Sequence, residues 1–208
     1  MAVASLTKMT VPLASDQSNP TQGLLMPKLK YRFRVEFQNF GVSTPRTELT
    51  KQVMDFTRPT VSFEEMTIPI YNSTIKLAGK YSWGDVTCNL RDDASGAVSK
   101  LVGEQLQKQL DFAEQASAAS GIDYKFVTQF QVLDGGNDTN APQILETWEL
   151  YGCFLSEVNY GDMNYGTSEP ATIAMTIKFD NAVQVNTAGD QVGVGQPITR
   201  TVNDVTTG

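Results

Sequence analysis

Carboxylates carry most of the chemical capacity of this 208-residue chain, because it contains no histidine. That absence removes Ser-His-Asp and Cys-His chemistry, histidine metal sites and the usual general base near neutral pH. What survives is carboxylate-only catalysis or a carboxylate-only calcium site. The first candidate is the pair Asp92-Asp93, which follows Arg91 at the end of "KYSWGDVTCNLRDD". A metal or acid/base pair needs two carboxyls converging on one atom, and neighbouring residues at a strand end point in different directions. The competing reading makes them a helix cap, with one carboxylate accepting an orphan N–H at the start of a helix near Ala94. The other would then sit at the positive helix end.

Other acidic groups invite the same test. "DGGND", Asp134 to Asp138, resembles a calcium loop only superficially, lacking the D-x-[DN]-x-[DN]-G order and the closing glutamate; a Gly-Gly turn between strands accounts for it. Glu64-Glu65 and the spread Glu146, Glu149 and Glu157 would have to bring two carboxyls to about 5–9.5 Å for glycoside hydrolysis. Nothing in their spacing makes any two converge, and solvated strand faces are their expected home. "VGVGQ", Val192 to Gln196, is followed by neither a helix nor Gly-Lys-Ser/Thr, so it is not a phosphate loop. Tyr160 and Tyr165 in "NYGDMNYG" suit base stacking or a protein interface equally. The two cysteines, Cys88 and Cys153, occupy apolar strand positions with no CxxC, and read as buried free thiols. No cofactor or metal is expected.

Composition bounds the elements that must position these residues. A hydrophobic fraction of 40% is ordinary for a globular domain, and the length suffices for one core. No apolar run approaches the roughly 20 residues of a membrane span, and the N-terminus does not read as a signal peptide, so folding in a cytoplasm is expected. Net charge is −7, from 23 acidic and 16 basic residues. Such a surface does not grip phosphates, but it suits a protein that nucleic acid must not stick to.

Residues 1–26 are polar and read as an N-terminal arm. "KLKYRFRVEFQ" then alternates: Tyr31, Phe33, Val35 and Phe37 on one face, Lys30, Arg32, Arg34, Glu36 and Gln38 on the other, predicting a half-buried strand. Its cations suit a nucleic-acid stripe or, in this acidic chain, a solvated or intersubunit face. From Met54 to Tyr81, strand-like pieces are interrupted by Pro59, Pro69 and the Asn72-Ser73 turn signal. Pro69 argues for an edge or an extended loop. Met66, Ile68, Ile70 and Tyr71, exposed there, would require a covering neighbour.

Val86, Cys88 and Leu90 should face a core. After Asp93 the period changes: Val98, Leu101, Val102, Leu106, Leu110 and Ala113 predict an amphipathic helix stopping near Gly121. Further strands are predicted through Tyr124, Phe126, Thr128, Phe130 and Val132, through Ile144, Trp148, Leu150 and Phe154, and lastly through Ile173, Met175, Ile177 and Phe179. Residues 184–208 are polar and Gly/Thr-rich, a C-terminal arm that builds no core alone. Polar arms of this kind are expected to be held by neighbouring chains.

The order of these pieces resembles the tail tube proteins of contractile-tailed bacteriophages. The resemblance is carried by "PKLKYRFRVEF", by "IPIYNSTIKLAGKYSWGDVTCNLRDD" and by "ETWELYGCFLSEVNYGDMNYGTSEPATIAMTIKFDNA", and spans Pro27 to Val183. The longer arms and "DGGNDTNAP" depart from the shortest members. The resemblance implies an α+β, mostly β subunit: an antiparallel β-sandwich or barrel with one amphipathic helix, whose sheets join into a continuous β-barrel in a hexameric ring. It further implies an arm at 1–26, a tube domain at 27–183 and an arm at 184–208.

The implied function is structural and non-enzymatic: stacked rings of an inner tail tube conducting genome DNA during ejection. The implied partners are other copies of itself, a tail sheath, a baseplate, a tape-measure protein and DNA passing without specific binding, in a virion tail assembled in the host cytoplasm. Glu65, Met66, Ile68, Pro69, Ile70 and Tyr71 are the implied ring-to-ring contacts. Alternatives are the tube subunit of a type VI secretion or phage-derived injection machine and, from another class, a carbohydrate- or calcium-binding β-domain.

Overall fold

A computed structural model describes residues 27–43, 47–134 and 142–198. Residues 1–26 and 199–208 of the two arms, and 135–141 of the "DGGNDTNAP" region, lie outside the described residues. The chain divides after Arg32. In the first unit, residues 27–32 include a turn in which the Arg32 N–H donates to the Leu29 carbonyl at 3.2 Å, and the Arg32 guanidinium lies 5.5 Å from the centre of the Tyr31 ring. The alternation read from Lys30 therefore becomes strand only at Phe33. Tyr31 is 72% exposed, and Lys30, Tyr31 and Arg32 precede the strand rather than belonging to it.

The second unit runs β1 (Phe33–Gln38), α1 (Thr47–Gln52), β2 (Val53–Phe56), β3 (Val61–Ile70), β4 (Ser73–Trp83), β5 (Val86–Arg91), α2 (Ala97–Gln109), β6 (Leu110–Asp111), β7 (Ala116–Ser117), α3 (Gly121–Tyr124), β8 (Phe126–Leu133), β9 (Ile144–Asn159), β10 (Thr172–Lys178) and β11 (Asn181–Val185). It is α+β and mostly β, with every strand pair antiparallel and the main sheet open. The main sheet has the order β1-β8-β9-β10-β5-β2, with β11 also on β9.

The sixteen-residue β9 organises this sheet. Its first half pairs with β8 and β11, and its second half with β10. Between the halves lies Gly152, with φ 69°. That conformation suits glycine, and a Cβ there would come within 2.2 Å of Asp180 Oδ2. The irregularity shifts the phase of the strand: Leu150 is buried, then Cys153 and Leu155, while Phe154 moves to a half-buried position. The expectation that Phe154 shares the Leu150 face fails here, because one extra residue exchanges the two faces of a period-two strand.

The core lies between the two halves of the folded sheet. Val35, Phe37, Phe126, Phe130, Val132 and Leu150 come from one side, and Val86, Cys88, Leu90, Ile173, Met175 and Ile177 from the other. Phe56 of β2 stacks on Phe130 of β8 with ring centres 5.1 Å apart, tying the halves together. Burial of each such side chain contributes about 1.5–3 kcal/mol. Both cysteines are free and buried in this core. Desolvation raises the thiol pKa of each, that of Cys153 to about 11, which favours the protonated thiol near neutral pH.

Helix α2 closes one end by burying Val98, Leu101, Val102 and Gln105. It ends at Gln109 rather than running through Ala113, and Gly121 opens a helix instead of stopping one. Local hydrogen bonding overrides periodicity at both points. Asp111 Oδ1 accepts the Ala113 N–H at 2.9 Å and the Glu114 N–H at 3.4 Å, building a turn that carries the chain from β6 to β7. Ser120 and Asp123 then form a capping box: the Ile122 N–H donates to Ser120 Oγ, and the Ser120 N–H donates to Asp123 Oδ2 at 3.1 Å. The short helices α1 and α3 were not expected from periodicity, which needs several turns to register.

β11 continues to Val185, where Val185 is buried. The chain then folds back on it: the Gln184 N–H donates to the Val194 carbonyl at 2.8 Å, and the Val192 N–H donates to the Gln184 carbonyl at 2.8 Å. "VGVGQ" is thus a return turn against β11, with Gly195 at φ 103° lying on Val183.

Candidate assembly surface

The β3–β4 hairpin stands apart from the main sheet, since its two strands pair only with each other. Its register sorts its residues into two faces. Val61 is opposite Trp83 and Phe63 opposite Tyr81; beyond an irregularity near Glu64, Glu65 is opposite Ala78 and Thr67 opposite Lys76. Those residues share one face, apolar at the base and polar toward the tip. The other face is the reverse. Ser62 and Ser82 lie at its base, with hydroxyls 2.9 Å apart. Met66 opposite Leu77, and Ile68 opposite Ile75, lie toward its tip with Ile70. The extra residue falls on β4 beside Gly79, and it moves the apolar residues of β4 to the other face in step with β3, whose own apolar positions change from odd to even after Phe63.

All the large apolar residues of this hairpin except Trp83 are exposed. Glu65 is on the tip's polar face, where its carboxylate meets Lys76 Nζ at 3.0 Å and accepts from Thr67 Oγ1 at 3.0 Å. Met66, Ile68 and Ile70 lie on the opposite, apolar face, and Pro69 sits across from Thr74. Of the two readings of this segment, edge strand or extended loop, the structure has the edge strand, which runs as far as Ile70. In a two-stranded hairpin each residue has one side without a ladder partner, and a proline is tolerated there. Tyr71 occupies the two-residue turn with φ 41°, a region rarely held by a bulky side chain, and is 101% exposed.

The opposite end of β5 holds the paired aspartates. Asp93 Oδ1 accepts the Val98 N–H at 3.2 Å, Asp93 also accepts from the Ser95 hydroxyl, and Asp92 Oδ1 accepts the Asp93 N–H at 3.0 Å. The Ser95 hydrogen bond and the Val98 N–H hold the Asp93 carboxyl below its ordinary pKa. The residue at the N-cap position of α2 is Gly96, with φ 69°, so the carboxylate reaches the second helical N–H from three residues before the cap. The two aspartates point into their own loop and share no atom.

The remaining carboxylates are spread out. Glu146 accepts the Trp148 indole N–H at 2.6 Å, and Glu149 accepts from Gln129 at 2.7 Å and from the Tyr151 hydroxyl. Asp134 Oδ1 accepts the Gln143 N–H at 2.8 Å, while Asp138 lies outside the described residues. Among the described residues, no three His, Cys, Asp or Glu side chains come together as a metal site. Tyr165 and Met163 are exposed on the loop between β9 and β10. Sequence reasoning missed Glu104 and Gln105. Glu104 accepts the Val42 and Ser43 N–H groups at 2.9 and 2.7 Å and the Ser43 hydroxyl at 2.5 Å, which lowers its pKa to about 2. Gln105, fully buried, accepts the Gly41 N–H at 3.0 Å and donates to the Tyr124 carbonyl at 2.7 Å. A buried glutamine on the apolar stripe of α2 was the available signal.

No family model and no curated protein sequence matches the chain. Solved structures do resemble it. A chain of the six-fold symmetrised baseplate of the anti-feeding prophage superposes with a TM-score of 0.57 at 13% identity, covering 79% of this chain and 99% of that one. A chain of an extracellular contractile injection system, from its sheath/tube terminator in the extended state, gives 0.57 at 13% identity, covering 79% and 100%. A chain of the tube-terminating cap of the anti-feeding prophage gives 0.57 at 12% identity, covering 84% and 98%. The protein thus has the fold of chains that build the baseplate, the terminator and the cap of these injection assemblies.

Proposed function

We propose that this protein is a structural subunit of the inner tail tube of a contractile phage tail, in which hexameric rings stack into a conduit for genome DNA. The observation that carries the reading is the likeness to injection-assembly chains over 99–100% of the length of two of them. In this reading the open sheet edges of neighbouring subunits join into a continuous inner barrel, which removes edges that a lone subunit leaves open. Rotation closes the ring, and translation along the axis leaves a growing filament. The exposed face of Met66, Ile68 and Ile70, with Glu65, Pro69 and Tyr71, contacts the next ring. Asp92 and Asp93 have a structural part at the start of α2. The arm at 1–26 is held by neighbouring subunits, as is the part of the arm at 184–208 that lies beyond the return turn against β11.

The mechanism is passive. A lumen sharing the acidic balance of the chain, net −7, repels phosphates, so DNA slides without specific binding. A sheath surrounds the tube, a baseplate starts it and a tape-measure protein fills it during assembly, in the host cytoplasm and then in the virion. A second reading, a tube subunit of a phage-derived injection machine, is favoured by the resemblance to the anti-feeding prophage and to an extracellular contractile injection system.

Negative-stain microscopy of the purified protein across a concentration series tests both readings, which expect rings and hollow filaments. A protein that stays monomeric throughout and binds a glycan or calcium tightly would instead be a β-domain of the other class.

A further inference from the structure

On the side of β9 that faces β8, the ladder stops early. β8 begins at Phe126, opposite Cys153, and Lys125 leads away into α3. The next backbone groups on that side, those of Leu155, are met by a side chain. Gln109 Nε2 donates to the Leu155 carbonyl at 2.9 Å, and the Leu155 N–H donates to Gln109 Oε1 at 2.9 Å. One primary amide thus makes both bonds that the N–H and C=O of a facing residue on a neighbouring strand would make.

Gln109 is held there from behind, as the last residue of α2, with its own carbonyl accepting the Ala118 N–H at 3.4 Å from just beyond β7. Past Leu155, β9 runs on through exposed Glu157 and Asn159 with no strand on that side among the described residues. An open groove of about 530 Å³, lined in part by Gln109, Ser117, Tyr124 and Ser156, lies alongside. The strand register also slips at this point, between Thr176 and Ile177 of its β10 partner.

We propose that Gln109 is an edge guard: its amide stands in for a strand, keeping this edge of β9 closed to strand addition by a second copy of the chain. An edge strand with free N–H and C=O groups templates pairing, and native proteins close such edges with devices of this kind. The occupant is a second copy because, among the described residues, β1 and β2 each pair on one side only, leaving a strand of matching extended geometry on every molecule. Release of one side chain opens the slot, so the free subunit is protected and the assembling one is not.

The test is independent of ring stacking when made in the Ile68→Asp/Ile70→Asp background, where the hairpin contact is removed. Sedimentation velocity and hydrogen exchange are measured for that background, with and without Q109A and Q109E. Q109A should associate at a concentration at least about tenfold lower, with residues 155–159 gaining exchange protection in the associated form. Q109E keeps the acceptor for the Leu155 N–H and loses the donor, so it should fall between the two, and it decides the matter if Q109A does not fold. Unchanged association of the folded variants, or association that leaves 155–159 unprotected, overturns the proposal. Tube formation by the parent protein bears on the function proposed above and not on this result.

Discussion

The β3–β4 hairpin and the β8–β9 pair are both antiparallel ribbons of alternating residues, and they meet opposite fates. In β8, Phe126, Thr128, Phe130 and Val132 are buried, because the other half of the folded sheet covers them. In the hairpin, Met66, Ile68, Ile70, Ile75 and Leu77 form an equally apolar stripe that no part of the described chain covers. Alternation therefore states that a face wants burial, and it does not state whose surface provides it.

The contrast can be broken at measurable points, beginning with the largest effect on folding. Leu150→Ala removes a fully buried side chain and should cost about 2–5 kcal/mol, read as a lowered urea midpoint. A loss under about 1 kcal/mol would show that the centre of β9 is less tightly packed than the structure has it. Gly152→Ala places a Cβ against Asp180 at φ 69°, where it also disturbs the 2.5 Å ion pair of Asp180 with Lys125. A cost of about 1–3 kcal/mol is expected, and wild-type stability would remove the sheet-switching role given to this residue.

Glu104→Gln should have a smaller effect, visible through pH. The Glu104 pKa falls from 4.5 to about 2 in the folded state, so its contribution is complete above pH 4.5 and lost as pH falls toward 2. The variant should be less stable at pH 7, with the gap narrowing below pH 4.5 and closing near pH 2. A gap independent of pH would mean that the carboxylate charge is not what holds Val42 and Ser43.

The smallest change in subunit stability is expected from Ile68→Asp with Ile70→Asp, about 1 kcal/mol or less per site, because both side chains are exposed, at 41% and 47%, and lie outside the core. The same change should abolish stacking, leaving rings or monomers under negative stain. Normal filaments from this variant would show that the hairpin is not the contact. A large stability loss would show that the subunit's own surface covers it.

Legibility followed range. β5 and β10 were readable because Val86, Cys88, Leu90, Ile173, Met175 and Ile177 alternate without interruption. The first turns of α2 were readable from Val98, Leu101 and Val102 for the same reason. The end of α2 was not, since Leu106, Leu110 and Ala113 keep the period while the Asp111 carboxylate builds a turn from adjacent N–H groups. Tyr31 continued the β1 pattern and yet lies outside the strand. Gln105 showed only as a glutamine on the apolar stripe of α2 and Gln109 had no pattern at all, because each reaches a backbone group far away in sequence, at Gly41 and Leu155.

The sequence by itself determined that this chain is mostly β, that it lacks histidine chemistry, and that residues 66–71 carry an apolar surface with no obvious place in a core. Composition and short-range alternation suffice for those statements, since both are properties of neighbouring residues. Tertiary structure alone decided that β9 serves both halves of the sheet through Gly152, that the hairpin's apolar stripe changes faces, and that a glutamine completes a strand edge. Each depends on which distant backbone groups come to face one another, and pairing across the sheet, rather than the residues beside it, makes that choice.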